Sequence, residues 1–230
     1  MNKEKTDMDS RLTKPLCTVV GVGPGVSMAV ARRFGSAGHR LALVARNADA
    51  VSKFARELGT TGIEARGFPG DASDETSLRR AFDDIHASVG PTEILVYNAF
   101  AFHQANPSEL PPAKLVDDLL VNIVGALISA QSVISHMKVL KRGTILFTGG
   151  GLALEPEPGV SSLAIGKAGM RSLAFSLHKE LTAFHIHIAT VTICGYVQEK
   201  TRFSPDNIAE SFFQLHQQPE GQWDREFIYQ

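Results

Sequence analysis

The chain has 230 residues, of which 43% are hydrophobic and 20% charged, a composition typical of one globular domain with a full core. The 23 lysines and arginines nearly balance the 24 aspartates and glutamates, so the net charge of -1 argues against a nucleic-acid partner. The two cysteines, Cys17 and Cys194, lie far apart in the chain. We therefore expect no disulfide framework and no metal site, and a reducing, cytoplasmic location.

Residues 1–14 are polar and charged and predict a flexible tail, with a single domain over residues 15–230. The tail lacks the apolar core of a signal peptide. We also find no apolar run that approaches the ~18 residues of a membrane helix, so no membrane partner is expected.

The domain alternates short apolar strands with helices along its whole length. The first half predicts strands over 16–20, 40–45, 63–68 and 93–97, and helices over 26–35, 48–58 and 73–88, the last with Ser73 as its N-cap. The second half predicts helices over 112–137, 161–183 and 207–216, and strands over 143–147, 186–193 and 226–229. This alternation predicts an α/β doubly wound, parallel sheet of about seven strands covered on both faces, which is a Rossmann fold.

A glycine-rich turn follows the first strand and reads GVGPGVS over residues 21–27. In a doubly wound fold, such a turn lets the backbone approach a diphosphate at the N-terminus of the next helix. The spacing matches G-x-x-x-G-x-G except that Ser27 replaces the last glycine, and a tight turn that serves packing alone stays possible. The candidate diphosphate contacts are Gly21, Gly23, Pro24, Gly25 and Val26.

Arg46 directly follows the second strand, where the adenosine ribose lies in a doubly wound fold. An acidic residue there would bind both ribose hydroxyls, whereas an arginine suits a 2′-phosphate. The position favours NADP over NAD as cofactor, with a solvated arginine at a helix start as the plain alternative.

Further landmarks, in chain order, resemble those of the short-chain dehydrogenase/reductase family, and the resemblance covers residues 16–229. Asp71-Ala72 resembles the pair that contacts adenine, Tyr97-Asn98-Ala99 the element after the fourth strand, and Gly195-Tyr196-Val197 the turn that holds the nicotinamide carboxamide. The resemblance implies an NAD(P)-dependent oxidoreductase. Its implied cofactor contacts include Asp71, Ala72, Asn98, Ala99, Lys167, Gly195 and Val197.

The resemblance also implies two active-site residues. Lys167 matches the lysine of the Tyr-x-x-x-Lys signature, and Asn122 matches the asparagine that holds a catalytic water behind that lysine. The catalytic tyrosine is replaced, because Leu163 stands four residues before Lys167 and Val160 stands at the six-residue spacing.

The family's serine after the fifth strand is replaced as well. The segment there reads Thr148-Gly149-Gly150-Gly151, so the serine falls on a glycine. The missing acid and the missing donor together remove roughly 10⁴–10⁷ in rate from ordinary ketone reduction, unless another group substitutes.

The proton could come from Lys167, from water, from the substrate or from His103. Histidine titrates in the useful range, and His103 lies in a loop beside the expected substrate space. A solvated loop histidine is the plain alternative. The expected pocket is apolar and favours a hydrophobic small-molecule substrate; its candidate lining residues are Phe100, Phe102, Leu163, Ile193, Tyr196 and Phe203.

Two hypotheses of different class stay open at this point. The chain is either a divergent NADP-dependent oxidoreductase or a catalytically silent dinucleotide-binding sensor or partner subunit. Lys167 and Asn122 favour the first, whereas Leu163 and the glycine run favour the second. Small and apolar residues on the 161–183 helix suit close helix packing, so we expect a homodimer or homotetramer.

Overall fold

The computed structural model describes residues 14–230. Of the predicted tail over 1–14, residues 1–13 lie outside the described residues. The carbonyl of Lys14 accepts a hydrogen bond of 3.1 Å from Arg40 Nε at the start of the second strand.

Seven parallel strands form one sheet in the order β3-β2-β1-β4-β5-β6-β7. The strands are β1 (Leu16–Val20), β2 (Arg40–Ala45), β3 (Ala65–Pro69), β4 (Ile94–Tyr97), β5 (Gly143–Gly150), β6 (Ile186–Ile193) and β7 (Glu226–Tyr229). The predicted doubly wound Rossmann fold is thereby confirmed. From β1 the chain runs outward to β3 and then returns to β4 on the other side of β1. The strand order therefore reverses at the carboxyl ends of β1 and β4, where such folds bind ligands, and we call this switch point the crevice.

Within residues 14–230, seven α-helices cover the two faces of the sheet. They are α1 (Val26–Ser36), α2 (Ala48–Thr60), α3 (Glu75–Ser88), α4 (Pro112–Leu119), α5 (Gly125–Leu140), α6 (Ser161–Leu181) and α7 (Pro205–His216). Two separate apolar clusters follow from the alternation of side chains along each strand. One contains residues of α3, α5 and α6, and the other contains residues of α1, α2 and α7.

Several predicted element bounds differ from those in the structure. Two of these differences have a clear local cause. The helix α3 begins at Glu75, and its N-cap is Asp74 instead of Ser73, because the Asp74 carboxylate accepts a 2.8 Å hydrogen bond from the Ser77 N–H. The Ser73 hydroxyl instead donates to Asp71 Oδ1 at 2.8 Å, within the turn that precedes the helix. The β5 strand also extends beyond the predicted 147 to Gly150, because it pairs with β6 along its whole length.

Pro112–Leu140 forms a continuous 29-residue helical stretch, with a π-helical turn over Leu120–Val124 between α4 and α5. Its most apolar window has a mean hydropathy of 1.6, which meets the length and composition of a membrane helix, so the expectation that no run does so is wrong. In the structure one face of this stretch packs into the core, because Ala126, Ile128 and Val133 belong to an apolar cluster.

Candidate functional site

The glycine turn meets the end of β4 at the crevice. A Cβ on Gly21 would lie 2.4 Å from the backbone nitrogen of Ala99, and Gly21 has a φ of +79°, so only glycine fits there without strain. The Asn98 N–H donates to the Val20 carbonyl at 2.9 Å. The structure therefore brings together the predicted residues Gly21, Asn98 and Ala99.

The rest of the turn leaves space in front of the first turn of α1. A Cβ on Gly23 or on Gly25 would meet no atom within 4 Å, and Gly25 has a φ of +121°. Gly25 is the N-cap and supplies no side-chain cap, so the first N–H groups of α1 remain available to an anion. Pro24 and Val26 belong to the same turn.

Ser27, where the family pattern has glycine, is turned back onto this loop. Its hydroxyl donates to the Gly23 carbonyl at 3.0 Å and accepts from the Gly23 N–H at 2.9 Å. The serine is buried and braces the turn instead of filling the crevice. The substitution is therefore compatible with the open cradle.

Arg46 and Asp71-Ala72 lie at the carboxyl ends of β2 and β3, on one side of the glycine turn. The Arg46 side chain is exposed, and no carboxylate of residues 14–230 lies within ion-pair distance of it. Asp71 accepts from the Ser73 N–H at 2.9 Å, which shapes the turn after β3. Ala72 is buried.

A chain of three hydrogen bonds joins the glycine turn to Lys167. The Asn98 amide donates to the Gly21 carbonyl at 3.4 Å and accepts from the Thr148 hydroxyl at 2.9 Å. The Thr148 carbonyl in turn accepts from Lys167 Nζ at 2.5 Å. These hydrogen bonds therefore fix the position of the lysine relative to the glycine turn, across β1, β4 and β5.

Lys167 lies on α6 with its ammonium group nearly buried. Burial lowers the pKa of this lysine to about 8, because removal from water disfavours the charged form. The ammonium also lies 5.9 Å from the centre of the Phe100 ring. The group is therefore still largely charged at neutral pH, with donors left over beyond the bond to Thr148.

Asn122 lies in the π-helical turn and is fully buried. Its side chain accepts from the Ala101 N–H at 2.9 Å and donates to the Ala101 carbonyl at 2.8 Å. It also packs against α6, because a Cβ on Gly166 would lie 2.5 Å from Asn122 Nδ2. Asn122 thus fixes the loop after β4 against the helix that carries Lys167.

The glycines after Thr148 face different neighbours. A Cβ on Gly149 would lie 2.8 Å from the Thr192 hydroxyl, whereas a Cβ on Gly150 would lie 3.6 Å from Lys167 Cγ, at ordinary contact distance. A serine at position 150 would therefore reach the lysine. The sequence alone does not distinguish Gly149 from Gly150. Leu163 lies one helical turn before Lys167 on α6 and brings no polar group.

His103 is held by a buried carboxylate. Its ring Nδ1 lies 2.9 Å from Asp118 Oδ1, and its backbone N–H donates to Asp118 Oδ2 at 2.8 Å. The Asp118 side chain is only 2% exposed, whereas that of His103 is 41% exposed. The sequence reasoning missed Asp118, although its spacing of four from Asn122 places a second polar residue on the buried face of the same helical stretch.

The apolar residues of the predicted pocket are distributed unequally. Phe100 and Phe102 are 55% and 45% exposed, and their rings stack with centroids 6.4 Å apart. Phe203 packs against Gly195, where a Cβ would lie 2.3 Å from the ring, and Tyr196 is 93% exposed. Val197 is half-exposed in the same segment as Gly195. Phe100 is thus the exposed aromatic residue beside Lys167, and Phe102 stacks on it.

Comparison with known proteins identifies the family. The family model for short chain dehydrogenases matches residues 16–207, so the chain belongs to the short-chain dehydrogenase family, whose members are NAD(P)-dependent oxidoreductases. The resemblance inferred from the sequence motifs is thereby confirmed.

Individual relatives are distant. The chain is 27% identical over 177 residues to a 3-oxoacyl-[acyl-carrier-protein] reductase of Bos taurus, covering 76% of this chain and 73% of the relative. The corresponding reductase MabA of Mycobacterium tuberculosis is 27% identical over 198 residues, covering 86% and 75%. A metagenomic short-chain oxidoreductase solved in complex with NADP superposes with a TM-score of 0.85 at 24% identity, covering 93% of this chain and 96% of that one.

The geometry of the turn fits the dinucleotide that the family uses. Gly23 and Gly25 leave the space that a diphosphate needs, and the N-terminus of α1 offers N–H groups to it. On the other side of the crevice, Lys167 has spare donors for ribose hydroxyls, the role that the resemblance assigns to it.

Proposed function

We propose that this protein is an NADPH-dependent reductase of carbonyl compounds with apolar substituents. The observation that carries the proposal is the hydrogen-bonded chain from the Gly21 carbonyl through Asn98 and Thr148 to Lys167. A glycine turn that served packing alone would not need a nearly buried lysine fixed to the same frame. Keeping an ammonium group there costs desolvation free energy, which a ligand's hydroxyl groups would offset.

Arg46 supports NADP as the preferred cofactor. Its exposed guanidinium lies at the end of β2 with no carboxylate among residues 14–230 to neutralise it, so it is free to bind a 2′-phosphate through two parallel hydrogen bonds. The metagenomic neighbour solved with NADP supports the same choice.

We assign a separate role to each group of residues in the site. The glycine turn and the N-terminus of α1 hold the diphosphate, and Lys167 orients the nicotinamide ribose. When bound, the reduced dinucleotide supplies a hydride to the carbonyl carbon of the substrate. Asn122 acts indirectly, because both polar groups of its side chain bond to Ala101 and so fix the loop of Ala101 and His103 against α6.

The two exposed phenylalanines support an apolar substrate. Phe100 and Phe102 offer a stacked aromatic surface next to the Lys167 ammonium, which suits a hydrophobic group attached to the reacting carbon. The two curated relatives are named as reductases of 3-oxoacyl compounds, which carry a carbonyl group on an acyl chain.

We also propose a homodimer or homotetramer in the cytoplasm. The side chains of Val116, Leu120, Val124 and Ile165 are exposed, and the first three repeat every four residues along one face of a helix. Such an apolar stripe suits pairing with a second copy. Sedimentation velocity tests the assembly, and the free thiols of Cys17 and Cys194 suit a reducing compartment.

The test is turnover by the parent protein. We expect the chain to oxidise NADPH when it is offered long-chain ketones, aromatic aldehydes and aromatic diketones, and to oxidise NADH more slowly. Gly23→Val, which fills the open space in the turn, should abolish this turnover, whereas Gly59→Val at the end of α2 should not. Tight NADPH binding without oxidation by any of these carbonyls would reject the reductase and favour a silent dinucleotide-binding module.

A further inference from the structure

The strongest additional feature of the crevice is the pair formed by His103 and Asp118. The Asp118 carboxylate accepts two hydrogen bonds from one residue, since both the backbone N–H and the ring Nδ1 of His103 reach it at 2.8 and 2.9 Å. Among residues 14–230, His103 is the one basic side chain within ion-pair distance of Asp118. Burial of a carboxylate costs free energy unless the charge is paired. The contact between Asp118 and His103 is therefore a specific interaction.

The loop after β4 places His103 against Ser162, the residue before Leu163 on α6. The loop runs beside the N-terminal half of α6: the Phe100 ring lies near Lys167 Nζ, and the N–H of His103 also lies 3.1 Å from the Ser162 hydroxyl. Further along, Ala105 forms a β-bridge with Val160. His103 is therefore beside the helical turn on which the family's tyrosine would stand, and Ser162 directly precedes Leu163.

The carboxylate determines which ring nitrogen faces outward. A carboxylate oxygen accepts hydrogen bonds, so Nδ1 carries the hydrogen that points to Asp118. The other nitrogen, Nε2, is then the atom of the half-exposed ring that can gain or release a proton. Asp118 thereby fixes the tautomer and the orientation of the ring, as an aspartate does in a hydrolase triad.

We propose that His103 is the general acid of this reductase and that Asp118 is its positioning residue. The inference rests on the proposed function. As the hydride reaches the carbonyl carbon, the π electron pair of the C=O bond moves to oxygen, and that oxygen takes the proton from Nε2 of the imidazolium. The products are an alcohol, the oxidised dinucleotide and a neutral His103, which regains its proton from water. Asp118 remains a carboxylate throughout.

The substrate class follows from the neighbours of the histidine. The His103 ring follows Phe102 in the chain, and Phe102 stacks on Phe100. A ketone or aldehyde with an aromatic or long aliphatic group could place that group on the two rings and its oxygen toward the histidine.

The first readout does not depend on turnover. Nitrogen NMR of the histidine ring, assigned by comparison with His103→Gln, should show the proton of the neutral ring on Nδ1 in the parent protein. In Asp118→Asn this preference should be lost. A His103 ring in the parent that carries its proton mainly on Nε2 would overturn the proposal.

The second readout separates the acid role from the cofactor site. His103→Gln should lower kcat by about 10²- to 10⁴-fold, while KM and the Kd of NADPH stay within about threefold of the parent values. Asp118→Asn should also lower kcat, and added imidazole should restore part of the turnover of His103→Gly. The surface substitution His86→Gln on α3 is the matched control and should leave kcat unchanged.

The two failures are distinguishable. A parent protein that binds NADPH but reduces no carbonyl rejects the proposed function, and the acid role falls with it. A parent protein that turns over, with the same kcat in His103→Gln, rejects the acid role alone and leaves Asp118 as a residue that merely anchors the loop.

Discussion

The two ends of the crevice differ in how many of the family's characteristic residues they retain. At the diphosphate end, Gly21 still packs on Ala99, and Gly23 and Gly25 still leave open space. At the reacting end, the resemblance assigns the positions of the family's tyrosine and serine to Leu163 and the glycine run, of which Gly150 lies nearest to Lys167. The first end depends on backbone geometry that the sheet imposes, whereas the second depends on single side chains that can change without harm to packing.

The largest effect is expected from the diphosphate end. Gly21→Ala would bring a Cβ within 2.4 Å of the Ala99 backbone at a φ of +79°, so the free energy of unfolding should fall by about 3 kcal/mol. Urea denaturation measures this loss. Gly23→Ala meets no atom and should stay within about 0.5 kcal/mol of the parent protein; equal stability of the two variants would contradict the close contact.

Rebuilding the reacting end sharpens the comparison. Leu163→Tyr combined with Gly150→Ser should raise the rate of generic ketone reduction by about 10²-fold, because it returns a proton donor and a carbonyl donor near Lys167. The matched control is Leu163→Phe with Gly150→Ala, which has the same shape but no hydroxyl groups. Equal steady-state rates in the two double variants would mean that the missing hydroxyl groups do not limit ketone reduction at the reacting end.

The adenosine side is tested by reversing one charge. Arg46→Asp should weaken NADPH binding by about tenfold or more and should spare or improve NADH binding, because a charge-assisted contact is replaced by repulsion of the 2′-phosphate. Arg56→Asp, on the exposed side of α2, changes the total charge equally and is the control. Fluorescence titrations with an unchanged NADPH affinity in Arg46→Asp would remove the assignment of NADP.

The smallest effect lies far from the crevice, at the amino ends of the strands. Burial lowers the pKa of His216 to about 4, and the nearby charges of His39 and His187 act in the same direction. The unfolded chain therefore binds more protons, and stability falls as the pH drops from about 6.5 toward 4.

Between pH 7.5 and 5.5, this histidine should account for a loss of about 1 kcal/mol in the free energy of unfolding. His216→Gln, which does not titrate, should lose correspondingly less over the same range in urea denaturation. A variant with the parent's full pH dependence would show that His216 is not responsible.

The strands were the most predictable part of the molecule. β1, β2, β6 and β7 begin and end at the predicted residues, because short apolar runs between turn signals have few alternatives. The π-helical turn over Leu120–Val124 was not predicted, since it accompanies a tertiary contact of Asn122 with Ala101 that no local pattern carries. The N-cap of α3 was misassigned because Ser73 and Asp74 are both good capping residues.

The candidate site was predictable only where motifs specify it. The glycine turn was predicted from its spacing, and Asn98 and Lys167 from the family resemblance; the structure joins them through Thr148. The pair of His103 and Asp118 was not found, because fifteen positions separate its members and only the fold brings them together. The choice between Gly149 and Gly150 likewise needed the side-chain alternation of β5 against β6.

Equilibrium titration with NADPH tests most directly whether the backbone turn after β1 holds a dinucleotide. Nicotinamide fluorescence should report saturable binding to the parent protein and to Gly59→Val, and at least tenfold weaker binding to Gly23→Val, whose side chain would occupy the diphosphate space. Parent protein that binds neither NADPH nor NADH at high micromolar concentration, or equal affinity in the two valine variants, would contradict the account.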